Sequence, residues 1–112
     1  MDQRDVLGAF EQTVLAAVLR LRSGAYGMTI RREITERTGS EVSIGAVYTT
    51  LERLEGKGFV SGSLREATAE RGGRRKKYFE ITNGGRQALE NSLQWHESIV
   101  AGLLRPLSEA RG

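Results

Sequence analysis

The stretch from Val42 to Thr82 constrains this chain more than any other, because a short amphipathic helix is followed there at once by a basic, glycine-containing hairpin. Ile44, Val47, Leu51 and Leu54 recur at the spacing of one helical face. Ala46, Thr49, Thr50 and Arg53 are expected to face outward, and Ser43 is a side-chain N-cap. No charged residue occurs from Val42 to Leu51, so the outer face of the N-terminal half carries small and hydroxyl side chains with Tyr48 beside them. Such a surface can enter a DNA major groove without setting carboxylates against phosphates.

Gly56 and Gly58 stop this helix. The spacing then predicts strands over Phe59 to Leu64 and Lys76 to Ile81, joined by a long turn. From Arg71 to Lys77 five of seven residues are cationic (Arg71, Arg74, Arg75, Lys76 and Lys77) and the others are Gly72 and Gly73. Glycine lets backbone N–H groups approach the same anion as the guanidinium forks. Phosphodiester backbone is the obvious anion. Either feature alone is ordinary: a core helix, or a solvated charged loop. In direct succession they form the arrangement of a winged helix-turn-helix.

The strings G-A-V-Y-T-T-L-E-R-L-E-G-K-G and E-R-G-G-R-R-K-K-Y-F-E-I-T, with A-Y-G-M-T-I upstream, resemble the PadR-like transcriptional regulators. The resemblance runs from about Leu7 to Leu104. It covers Tyr26-Gly27, the helix start at Ser43, Gly45 and Tyr48, then Leu51, Leu54 and Glu55, and the Arg-Gly-Gly-Arg-Arg wing. Many members carry proline directly after the tyrosine, where Thr49 stands here, so base contacts near Thr49 do not transfer. The resemblance implies a transcriptional regulator, more often a repressor, and some members bind planar or phenolic effectors at a dimer interface.

A chain of 112 residues fits one domain, small enough for a second copy to add much of the buried surface. Seventeen basic residues against fourteen acidic ones leave a net charge of only +3, so the placement of charge says more than its total. With no cysteine and His96 the only histidine, thiolate and histidine-rich metal sites are excluded. No cofactor is implied. The first residues carry both signs of charge and no run reaches the ~20 apolar residues of a membrane span, so a soluble, cytoplasmic protein is expected.

Upstream, Leu7, Phe10, Val14, Ala17, Val18 and Leu21, widened by Leu15 and Leu19, predict a helix buried between other elements and ended by Ser23-Gly24. Tyr26, Ile30 and Ile34 mark a second helix running to about Thr38, with Gly39 as its left-handed cap. Arg31, Arg32 and Glu33 are expected to face out, and either arginine can touch phosphate in a helix-turn-helix. Residues 39–42 form the turn, with Val42 in the core. Tyr78 and Glu80 alternate with Phe79 and Ile81 on the returning strand, and Thr82 caps the last helix.

That helix is expected from about Asn83 to near Pro106, with Ser108 to Gly112 fraying. Leu89, Leu93, Val100, Leu103 and Leu107 keep a heptad spacing in which His96 fills one place, a seam suited to a two-fold homodimer. Ala88, Trp95 and Ile99 widen it, so one side of the helix is expected to contact its own domain and the other a partner. Two Trp95 rings facing across the axis, with Ile99 and the partner's Phe10 and Val14 as walls, would suit a flat aromatic ligand.

No nucleophile with a base, no carboxylate pair and no nucleotide loop is present, which argues against an enzyme. The expected fold is mainly α with a small β-hairpin: a winged helix-turn-helix over 1–82 and a C-terminal dimerisation helix over 83–112, in one compact unit. The DNA-binding candidates are Ser43, Gly45, Tyr48, Thr49, Arg53 and Arg71 to Lys77. The effector and dimer candidates are Phe10, Val14, Trp95, His96, Ile99, Val100 and Leu103. The implied partners are double-stranded DNA bearing an inverted repeat, a second copy, and a planar aromatic or phenolic effector. A winged-helix module that binds protein or RNA is the alternative.

Overall fold

The computed structural model describes residues 7–66 and 75–110, with side chains in the last helix as far as Leu103. Four α-helices, α1 (Ala9–Leu21), α2 (Gly27–Thr38), α3 (Ile44–Gly56) and α4 (Asn83–Ala110), surround a core that an antiparallel pair, β1 (Val60–Glu66) and β2 (Arg75–Ile81), closes on one side. This is the mainly helical winged fold with a small hairpin that the sequence predicts. The hairpin tip at Arg71, Gly72, Gly73 and Arg74 lies outside the described residues, as does the Leu107 side chain of the heptad seam.

Burial follows the predicted faces. Val14, Leu15 and Val18 of α1 meet Ile30 and Ile34 of α2 and Val47, Leu51 and Leu54 of α3, with Val60 and Phe79 closing the sheet side. Each such side chain contributes about 1.5–3 kcal/mol when fully buried. Thr50, expected to face outward, is only 5% exposed. Both α1 and α2 pack on α3, so its inward arc widens to take in Val47, Thr50, Leu51 and Leu54.

The stop signals act as capping chemistry requires. Ser43 Oγ accepts from the Ala46 N–H at 3.0 Å, which starts α3. Gly39 ends α2 in the left-handed region (φ 72°), and Gly58 makes the same excursion (φ 80°) between α3 and β1. The Thr82 hydroxyl donates to the Gly58 carbonyl at 2.6 Å and accepts from the Gly85 N–H at 3.0 Å, tying the hairpin exit to the start of α4.

Several boundaries differ from expectation. The first helix ends at Leu21 and is followed by a 3-10 turn at Arg22–Gly24. Tyr26 is not in α2 but extended before it, paired to Tyr78 in an isolated β-bridge. Both strands start or end beyond their predicted limits because they continue to pair from Val60↔Ile81 out to Glu66↔Arg75. Pro106 does not end α4, which runs through to Ala110.

The long helix is divided along its length rather than across its width. Gly85, Ala88, Leu89 and Ser92 are buried against the domain, and Ser92 Oγ accepts from the Leu7 N–H at 2.9 Å. From Leu93 onward the described large apolar side chains are exposed. Among the described residues no helix is long and apolar enough to cross a membrane.

Two ion clusters tie elements together. Glu11 bonds Lys57 Nζ at 2.8 Å and the Gly8 N–H at 3.0 Å, joining α1 to the end of α3. Glu33 lies between Arg37 (2.8 Å) and Arg20 (3.1 Å), joining α2 to α1. Burial raises the Glu11 pKa, but the bonds from Lys57 and Gly8 and the charges of Lys57 and Arg53 outweigh it and hold the group below the ordinary 4.5. The Arg37 bond, with the charges of Arg37 and Arg20, overcomes desolvation and lowers Glu33 as well. Because both values fall on folding, the stability they contribute is in place above about pH 4.5 and is lost as pH drops through the folded values. The thermal midpoint should stay level down to about pH 5 and then fall; in a Glu11→Gln/Glu33→Gln variant that acid fall should be shallower, as calorimetry at stepped pH would measure.

Candidate nucleic-acid interface

The N-terminal half of α3 presents Ser43, Gly45, Ala46, Tyr48 and Thr49 to solvent, with Arg53 exposed one turn further on. The first carboxylate on this face is Glu52, beyond the uncharged stretch. Arg53 lies near enough to Glu11 to depress its pKa, which puts its charge toward α1 and away from the tip of α3.

Tyr48 leans on the start of α2. A Cβ added at Gly27 would overlap the tip of the Tyr48 ring, so only glycine permits this contact. The Phe79 N–H donates to the Ala25 carbonyl at 2.8 Å, one residue from the Tyr26↔Tyr78 bridge. The three residues Ala25, Tyr26 and Gly27 therefore hold the wing on one side and α3 on the other.

Between them lies a cleft of about 370 Å³ lined by Tyr26, Met28, Arg32, Tyr48, Arg75, Lys76 and Lys77, four of them cationic and none acidic. Strand alternation divides the wing cations. Lys76 points to the Tyr26 side, its Nζ 4.4 Å from that ring's centroid. Lys77 points to α3, with Nζ 2.8 Å from Glu55 Oε1 and 5.5 Å from the Phe79 centroid. Lys77, chosen from sequence as a phosphate contact, thus also braces the sheet against α3.

Of the two arginines proposed for phosphate contact from α2, only Arg32 is exposed and lines the cleft. Arg31 is half-buried and donates through Nε to the Val42 carbonyl at 2.8 Å, closing the turn between α2 and α3. Glu33, also expected to face out, is half-buried between its two arginines.

The second candidate group is split. Trp95, Ile99 and Leu103 are 44%, 45% and 60% exposed, with His96 exposed and Val100 half-buried beside them. Val14 has no exposed surface and belongs to the chain's own core, so it cannot wall a gap between subunits. Phe10 is half-buried against that core. Among the described residues no group of three or more histidine, cysteine or acidic side chains is placed to hold a metal ion.

Sequence reasoning missed the part played by Tyr26, Gly27, Met28 and Tyr78. The sequence pattern puts Tyr26 in the second helix and marks Tyr26-Gly27 as a motif, and nothing local in the sequence links them to Tyr78 on a distant strand.

Residues 14–91 match the model of the transcriptional regulator PadR-like family. The chain belongs to that family. Its fold is shared by a PadR-like transcriptional regulator from Bacillus cereus, 23% identical over 89% of this chain and 92% of that one, with a TM-score of 0.72. A protein described as hsRosR-SG, solved as a complex, is 35% identical over 82% of this chain and 74% of its own, with a TM-score of 0.62. Bacillus subtilis PadR in complex with operator DNA is 22% identical over 77% of this chain and 47% of that one, with a TM-score of 0.63. Among curated proteins no sequence matches this PadR-like chain significantly.

The Gly27–Tyr48 contact is testable by a double-mutant cycle. Gly27→Ala should force the partly exposed Tyr48 ring aside, and should be more favourable in a Tyr48→Ala background, where the gain of about 0.5–1 kcal/mol from replacing a helical glycine is no longer offset. Equal effects in the two backgrounds would show that Tyr48 does not occupy that space.

Proposed function

We propose that this PadR-like chain is a sequence-specific regulator that binds double-stranded DNA as a two-fold dimer, one reading unit per subunit. The supporting observation is a cleft with no acidic side chain among the described residues that line it, with the uncharged end of α3 on one side and the cationic strand β2 on the other. Seated in the major groove, α3 would bring Ser43, Gly45 and Thr49 to base edges, with Tyr48 and Arg53 at its margins. Arg75, Lys76 and Arg32 would then lie along phosphate, and the tip residues Arg71, Gly72, Gly73 and Arg74 continue that charge beyond the described strand.

Residues 1–82 act as the winged unit and 83–112 as the helix that pairs two copies. Trp95, Ile99 and Leu103 form a row too apolar to be left in water on the projecting half of α4, which favours a second copy as their partner. His96 and Val100 lie in the same seam. Two such chains suit an inverted repeat with half-sites about 34–36 Å apart. Repression is proposed from the resemblance, with release by a planar aromatic or phenolic effector between paired Trp95 rings. A cytoplasmic location follows from action on DNA.

Binding to random genomic fragments, selected and sequenced, tests DNA reading directly. Replacing Arg74 and Arg75 with glutamine should weaken every duplex and lower the slope of log affinity against log salt by ~1.8, or ~0.9 per lost phosphate contact. Thr49→Ala should instead change the ranking among sites with the slope intact; an unchanged ranking removes Thr49 from base readout.

The pairing surface is tested separately. An Ile99→Asp/Leu103→Asp variant should sediment as a monomer at concentrations where the parent is a dimer, and should protect one half-site rather than two. A dimer of undiminished strength would place the interface elsewhere.

A further inference from the structure

We infer that Tyr26 and Tyr78 are positioning residues that fix the wing at a set distance from the reading face of α3, a role that rests on the DNA reading proposed above. Their rings meet edge-on, with centroids 5.1 Å apart and planes inclined at 64°. A cation closes each end of the pair: Arg65 Cζ lies 4.6 Å from the Tyr78 centroid and Lys76 Nζ 4.4 Å from that of Tyr26. Arg65 and Lys76 are direct partners across the hairpin, so both strands are gripped at one level. Arg65 also donates to the Ser23 carbonyl at 3.0 Å and pairs with Glu80 at 3.2 Å.

A two-stranded hairpin is marginal by itself and takes its orientation from what it rests on. The base of this one is held by buried Phe79 and its bond to Ala25. Beyond Phe79 the grip passes to the tyrosine pair on one face and to the Lys77–Glu55 ion pair on the other. The ion pair is partly exposed and is screened by the same salt that accompanies DNA. Ring-face contacts depend less on salt, so they hold the wing while phosphate is being bound. Tyr26 directly precedes Gly27, against which the reading-helix residue Tyr48 packs, so one short segment sets both surfaces. Arg65 and Lys76 thus serve alignment as well as charge.

The test exchanges the rings for a reversible link. Opposed residues in an antiparallel bridge have Cα atoms about 4.5–5.5 Å apart, within the ~4.4–6.8 Å that a disulfide spans. The chain has no cysteine of its own, so a Tyr26→Cys/Tyr78→Cys variant has one intramolecular pairing available. Oxidised, it should bind duplex DNA with the parent's salt slope; reduced, the slope should fall by ~0.9 for each wing phosphate contact that is lost. Tryptic cleavage after Arg75, Lys76 and Lys77, located by mass spectrometry without DNA, should run about tenfold faster in the reduced form, as expected when contacts worth ~1.4 kcal/mol are removed. Tyr78→Phe keeps the ring and should match the parent in both measurements. Equal slopes and cleavage rates in the two redox states overturn the inference, as does failure of the folded variant to form the disulfide. If the parent binds no duplex at low salt, the DNA reading fails, and the cleavage rates still decide whether the rings hold the wing.

Discussion

The docking of β2 on the segment Ala25–Gly27 is the contact on which the functional surface depends. Most of the core comes from α1 to α3, with Val60 and Phe79 of the hairpin closing one side, and this docking sets how far the wing stands from α3. One backbone bond, one β-bridge and one aromatic pair supply that distance here, all within three residues of a connecting segment. Glycine at 27 completes the junction by leaving room for Tyr48. The short stretch before α2 therefore sets the position of both β2 and the Tyr48 face of α3.

Charge is arranged around that junction with more structure than a basic run suggests. Lys77 is turned toward Glu55, Arg65 toward Glu80 and Ser23, and Arg31 toward the Val42 carbonyl. Arginine suits the task of Arg65 because its planar fork can stack on Tyr78 and donate at once. Cations with structural duties have carboxylate, carbonyl or ring partners, while the described residues that line the cleft include no acid. A groove of one sign raises the local concentration of a polyanion and steers its approach.

The last helix makes a separate division. Its first turns are fastened by the Thr82 cap and by the bond from Leu7 to buried Ser92, and the remainder carries its apolar row away from the domain. Thr82 also bonds the loop entering β1, so the root of α4 and the base of the wing share one residue. The exposed apolar row of α4 and the hairpin are thus joined to one domain through hydrogen bonds at the hairpin base.

Much was legible in the residues themselves. The 3.6-residue stripe of α3, the Ser43 cap, the left-handed Gly39 and the basic hairpin are written locally, because capping and periodicity depend on neighbours in the chain. These features, and the family they resemble, determined the fold class. Three things required the tertiary structure. Thr50 is buried because two helices pack on α3, and a helical wheel does not show how wide an arc its neighbours will cover. Arg31 left the solvent face because a carbonyl eleven residues on came within reach. Tyr26 met Tyr78 because the chain folds a strand back across the start of α2, and a contact between residues so far apart in sequence is set by packing, not by any local preference of either residue.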